Sequence, residues 1–159
     1  MSTTAAPQAA LAMVGTNIGA RQPARALRVA WTGAACAFVM TEVIGVAAAL
    51  APEVWLRIFA SDPAVLSWGS AYLHRVGPFY GFFGLGTAIY FASQGAGRMR
   101  WPLVAAVLRA VVSVGAGGAA LAWTGRAGPV FLALGGGLLA LGVVNAIALA
   151  RGAWFEAAA

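Results

Sequence analysis

Glu42, His74 and Arg75 are the residues whose types and placement allow chemistry in this chain. Glu42 stands inside VAWTGAACAFVMTEVIGVAAAL, and no other acid lies so deep in an apolar run. An ionisable side chain inside a membrane span is costly, and it marks an ion or substrate path by default. Counted from the helix ends, Glu42 sits a few residues to the outer side of the middle of its segment. His74 and Arg75 sit a few residues to the outer side of Pro78 in the next one. At about 1.5 Å per helical residue these depths are similar, so a Glu42 pair with His74 or Arg75 is geometrically open. Glu42, alone or with His74, would then take up and release a proton or contact a cationic substrate. The plainer alternative leaves His74 and Arg75 at the outer headgroups and Glu42 paired within the bundle.

The elements that must hold these residues follow from composition. Of 159 residues, 62% are hydrophobic and 9% charged, against roughly 45–50% and about 25% in soluble domains. Such a chain cannot coat a water-soluble globule, and its apolar windows between short charged or Gly/Pro-rich breaks predict successive bilayer spans. We expect an all-α, polytopic membrane helix bundle forming a single domain over 1–159, with one partial and four full transmembrane helices. Segment 1–18 reads as the end of a truncated span, because its apolar part is far shorter than the roughly 20 residues of a crossing. Spans are expected at 27–50, 63–93, 103–123 and 130–149, the second kinked at Gly77-Pro78, where proline removes an amide donor. Between the first two full spans, EVWLRIFASDP mixes aromatic and charged residues and predicts an outer surface helix over 53–61.

The ten basic residues are all arginine, and four acids leave a net charge of +6. They stand singly at the ends of apolar runs, which fits membrane topology and not nucleic-acid binding. Alternation of the spans collects Arg21, Arg25, Arg28, Arg98, Arg100 and Arg151 on one side, so that side is expected to be cytoplasmic. The protein should therefore be a multi-pass protein of the cell inner (plasma) membrane with a cytoplasmic C-terminus. The lone Cys36 gives no disulfide and reads as a small buried apolar side chain. No metal-ligand set, no cofactor motif and no converging nucleophile and base occur, so an enzyme is not expected.

Two loops share a plan. Gly15-x-x-x-Gly19-Ala20-Arg21-x-Pro23 forms one, and Gln94-Gly95-Ala96-Gly97-Arg98 with Pro102 the other. Glycine lets a chain leave a helix in a left-handed conformation, and proline begins the next helix without wasting a donor. Neither loop follows a strand or carries the Lys-Ser/Thr of a phosphate-binding loop.

VGTNIGARQPARALR, IFASDPAVLSWGSAYLHRVGPFY and FASQGAGRMRWP, in this order and spacing, resemble the C-terminal lobe of the MATE (multidrug and toxic compound extrusion) transporter family. The likeness runs from about Ala9 to Arg151, matching the end of an eighth span and spans nine to twelve. It implies a role as part of a secondary antiporter that exports organic cations and drugs in exchange for protons or sodium, inactive without a first lobe. The implied partners are the lipid bilayer, small cationic or amphipathic molecules, and that N-terminal lobe or a partner subunit; a coupling proton or sodium ion would be the only ion required. The segment resembling the tenth span, GPFYGFFGLGTAIYFAS, has no acid, which departs from relatives that place an ion-coupling carboxylate there. Its Phe79, Tyr80, Phe83 and Tyr90 are candidates to line a cavity for flat cations. Arg109 is expected to snorkel to the inner headgroups and Asn145 to hydrogen-bond between helices. The alternatives are a small membrane protein that acts as an assembly partner without transporting, and a lipid-linked sugar flippase.

Overall fold

Proline and glycine set most of the helix boundaries. A computed structural model describes residues 5–152, as helices joined by short turns. Positions 1–4 of the expected 1–18 segment and 153–159 of the expected domain lie outside the described residues. Helix α1 covers Ala5–Gly19 and α2 covers Pro23–Leu50, the latter with its proline in the first turn. A short α3, Pro52–Leu56, and α4, Pro63–Val76, follow. The Asp62 carboxylate caps α4 by accepting from the Ala64 amide at 2.8 Å, with Pro63 at the first helical position. Asp-Pro thus starts a helix for two independent reasons, a side-chain acceptor and a preset φ.

At Gly77-Pro78 the chain narrows into a 3-10 turn, Gly77–Phe79, before α5, Tyr80–Gly95. The expected 63–93 segment is therefore two helices of 14 and 16 residues. Helix α6, Arg100–Ala110, runs through a π-helical stretch, Val111–Ala116, into α7, Gly117–Thr124. Helix α8 is Ala127–Ala150. Three stretches are long and apolar enough to cross a membrane: Pro23–Leu50, Arg100–Thr124 and Ala127–Ala150. Neither α4 nor α5 reaches the roughly 20 residues of a crossing by itself. The surface helix expected at 53–61 shortens to α3, because Arg57–Ala60 turn back before the Asp62-Pro63 start of α4.

Helix α5 is the axis of the bundle: it packs on α1, α2 and α8, while α8 also meets α4, α6 and α7. The α2–α5 crossing is backbone against backbone. A Cβ built on Gly45 would lie 2.7 Å from Cβ of Tyr80, and one on Gly77 would lie 2.6 Å from the Gly45 carbonyl oxygen. Only glycine permits that approach, and close packing is what replaces the hydrophobic effect between helices in lipid. Toward one end, Val14, Ala26, Ala30 and Ala34 meet Ile89, Ala92 and Leu149 in a buried cluster of small and branched side chains.

Both arginine loops are the same turn. The Arg98 amide donates to the Ser93 carbonyl at 2.9 Å and the Gly97 amide to that of Gln94 at 3.0 Å. The Gln22 amide donates to Asn17 at 2.9 Å and the Arg21 amide to Ile18 at 3.0 Å in the same relation. These paired bonds define a Schellman ending, which needs one left-handed residue. Gly97 (φ 68°) fills that position in one loop, and Arg21 (φ 56°), not a glycine, fills it in the other. Gly15 lies against the backbone of Gly95 instead, which brings the two loops to one end of the bundle.

Candidate functional site

Glu42 lies on the α2 face that meets the start of α5. Its Oε2 accepts from the Gly81 amide at 2.7 Å. Gly81 is the second residue of α5, where the positive end of the helix dipole favours a carboxylate. Pro78 and the 3-10 turn create this helix start, and the Glu42 side chain covers it. The structure does not bring Glu42 to His74 or Arg75. Among the described residues one ion pair forms, Arg57 to Glu53 at 2.9 Å, on the exposed side of α3. His74 is exposed, and Arg75 donates to the Ala71 carbonyl at 3.0 Å while its guanidinium lies beside Gly128 near the start of α8.

One turn from Glu42 opens a cleft of about 420 Å³, lined by Thr41 and Ile44 of α2, Tyr72 of α4, Tyr80 and Phe83 of α5, Arg109 of α6 and Leu138 of α8. The Tyr80 and Tyr72 hydroxyls approach to 3.5 Å. The Arg109 guanidinium carbon stands 5.5 Å from the centroid of the Phe83 ring, a cation–π arrangement. Arg109 is thus turned into the cleft and does not snorkel along α6 toward the arginine-rich end. Thr41 donates to the Ala37 carbonyl of its own helix at 2.7 Å.

Of the four aromatic candidates, Tyr80 and Phe83 face the cleft. Phe79 packs against Gly135 of α8, and Tyr90 stacks edge-on with Phe91 at 5.6 Å. Tyr72 is a lining residue that the sequence reading did not single out; it stands across the 3-10 turn from Tyr80, and both line the cleft. Asn145 is buried and donates to the Gly86 carbonyl at 3.3 Å, joining α8 to α5. Cys36 is exposed on α2, because the outer face of that helix has no neighbour there. No group of His, Cys, Asp and Glu that could hold a metal ion occurs among the described residues.

A helical bundle with three stretches long and apolar enough to cross a membrane is that of a multi-pass membrane protein. The MatE family model matches residues 3–117, more than two-thirds of the chain, and the chain belongs to that family. The match covers α1 to the end of the π-helical stretch. No curated protein and no solved structure matches the chain.

Proposed function

We propose that this chain forms one lobe wall of a MATE-type secondary antiporter that exports organic cations and drugs in exchange for protons or sodium. The observation that carries this is the cleft at the α4–α5 break, where Tyr72, Tyr80 and Phe83 offer aromatic faces and Arg109 already rests on one of them. A ring that holds a guanidinium is a platform for any flat organic cation. Export then consists of substrate displacing Arg109 from Phe83, followed by rocking of this lobe against a second one about the site. The cleft is open on one side, so the proposal requires a facing lobe.

Glu42 is the proposed coupling carboxylate. Its hold on the Gly81 amide joins α2 to the start of α5, so a change of protonation there biases the packing at the break. Exposed apolar side chains along α2, α6 and α8 support a place in the inner membrane. The arginines gathered at the end that holds both Schellman turns support a cytoplasmic position for that end and for the C-terminus.

The test is efflux of a fluorescent organic cation from proteoliposomes under a pH or sodium gradient, with the chain alone and with a facing six-span lobe. Efflux is expected only with both lobes, and Phe83→Ala should lower it about tenfold by removing roughly 1–2 kcal/mol of cation–π contact. No efflux with any facing lobe, or full efflux by the Phe83→Ala protein, refutes the proposal. Unchanged pH-dependence in the Glu42→Gln protein removes Glu42 from coupling.

A further inference from the structure

A second recess lies away from the cleft, in the angle between α1 and α2 at the arginine-rich end. It encloses about 890 Å³, and Met13 of α1 faces Arg25, Arg28, Val29 and Thr32 of α2 across it. Arg25 and Arg28 are three residues apart on a helix and so share a face. Both are exposed, and neither has a hydrogen bond or ion pair among the described residues. The described acids are committed elsewhere: Glu42 to Gly81, Glu53 to Arg57, Asp62 to the Ala64 amide. Two positive charges with no counter-charge among the described residues therefore rim a recess that is otherwise mostly apolar.

The groove does not stop at its floor. From Thr32 the same face of α2 continues at helical spacing through Cys36, Val39, Met40 and Val43, all exposed. From Arg28 to Val39 the helix rises about 16 Å, close to the roughly 15 Å of hydrocarbon in one leaflet. Charge at the rim and an apolar strip one leaflet long fit an occupant with an anionic head and an acyl tail. A free anion would leave the strip bare, and an apolar helix from another protein would leave the arginines unpartnered.

We propose that the α1–α2 groove is a binding site for an anionic phospholipid, with the phosphate held by Arg25 and Arg28 and one acyl chain laid along Met13, Val29 and the exposed face of α2. Basic pockets between membrane helices select anionic headgroups on this principle, each arginine near the surface contributing a factor of about five. The site is independent of the transport cleft.

Native mass spectrometry of the full chain in a neutral detergent, titrated with phosphatidylglycerol or with phosphatidylcholine of the same acyl chains, tests this. One phosphatidylglycerol should be retained with roughly twenty-five-fold preference, the product of two arginine contributions. The Arg25→Gln/Arg28→Gln protein should lose that preference, the double Lys variant should keep most of it, and Arg98→Gln/Arg100→Gln in the other loop should leave it intact. Thr32→Trp, which fills the groove without changing charge, should also displace the lipid and covers the case in which the Gln pair does not fold. Equal retention of the two lipids by the unaltered chain overturns the proposal, as does undiminished phosphatidylglycerol binding by the Gln pair or by Thr32→Trp. Displacement of the lipid by excess inorganic phosphate would make the site one for a free anion and would equally overturn it.

Discussion

Replacing Glu42 by alanine and by glutamine separates two kinds of contribution at the helix break. Interhelical hydrogen bonds in membrane bundles average about 0.6 kcal/mol and reach about 1.7 kcal/mol. The bond from the Gly81 amide to Glu42 belongs at the upper end, since it is short, 2.7 Å, and reaches a buried glycine. A carboxylate at the start of a helix adds roughly 0.3–1 kcal/mol through the dipole. Glu42→Ala removes both and should destabilise the chain by about 2 kcal/mol. Glu42→Gln keeps an oxygen within reach of the amide and loses the dipole contribution alone, so less than about 1 kcal/mol is expected. Reversible unfolding of the purified chain in mixed detergent micelles, followed by far-UV circular dichroism, reads both numbers on one scale. Equal losses for the two variants, or an alanine variant as stable as the parent, would refute the capping account.

Four further outcomes follow from the contacts described. Gly45→Ala places a methyl group against Tyr80 and the Gly77 carbonyl and should cost about 1–3 kcal/mol in the same assay. Gly118→Ala meets nothing within 4 Å and should cost nothing, gaining up to about 1 kcal/mol of helix propensity, so similar losses at the two glycines would contradict the crossing described. Asn145 makes one long bond, and its buried Oδ1 has no hydrogen-bond partner among the described residues; Asn145→Leu should stay within about 1 kcal/mol of the parent, and a larger loss would point to a partner at Oδ1. Arg57→Ala breaks an ion pair whose side chains are 68% and 64% exposed, so thermal scans should show no change beyond about 0.5 kcal/mol.

What was legible in the sequence was mostly local. Pro23, Asp62-Pro63 and Gly97 set helix starts and a helix end by their own backbone preferences, and each acts there in the structure. Arg21 escaped the same logic, since a left-handed residue is legible only when it is glycine. The acid in the apolar run stood out, but its partner did not. A backbone amide carries no letter of its own, and the Gly81 amide stands at a helix start only because the helix restarts one residue earlier. The faces of Phe79 and Tyr90 depend on the angle at which α8 crosses α5, which no spacing encodes. Arg109 drew attention as a charge in a span, whereas its direction follows from the position of Phe83 across the cleft. The surface helix expected at 53–61 is cut short to α3 by competition, because the Asp62 cap claims the chain for α4 before α3 can extend.

The central place of α5 also bears on biogenesis. Helices α1 and α2 leave the ribosome before α5 and touch each other, yet the cluster they share is roofed by Ile89 and Ala92 of α5 and by Leu149 near the end of α8. A nascent chain halted before α5 therefore has a helical hairpin with small alanines facing lipid and no partner to recognise. Its native contacts form in an order set by translation, with α1 and α2 waiting for α5 and α8. Quality control of this protein should act on that waiting hairpin, and a substitution in α8 would then be felt as a failure of α1 and α2 to be retained.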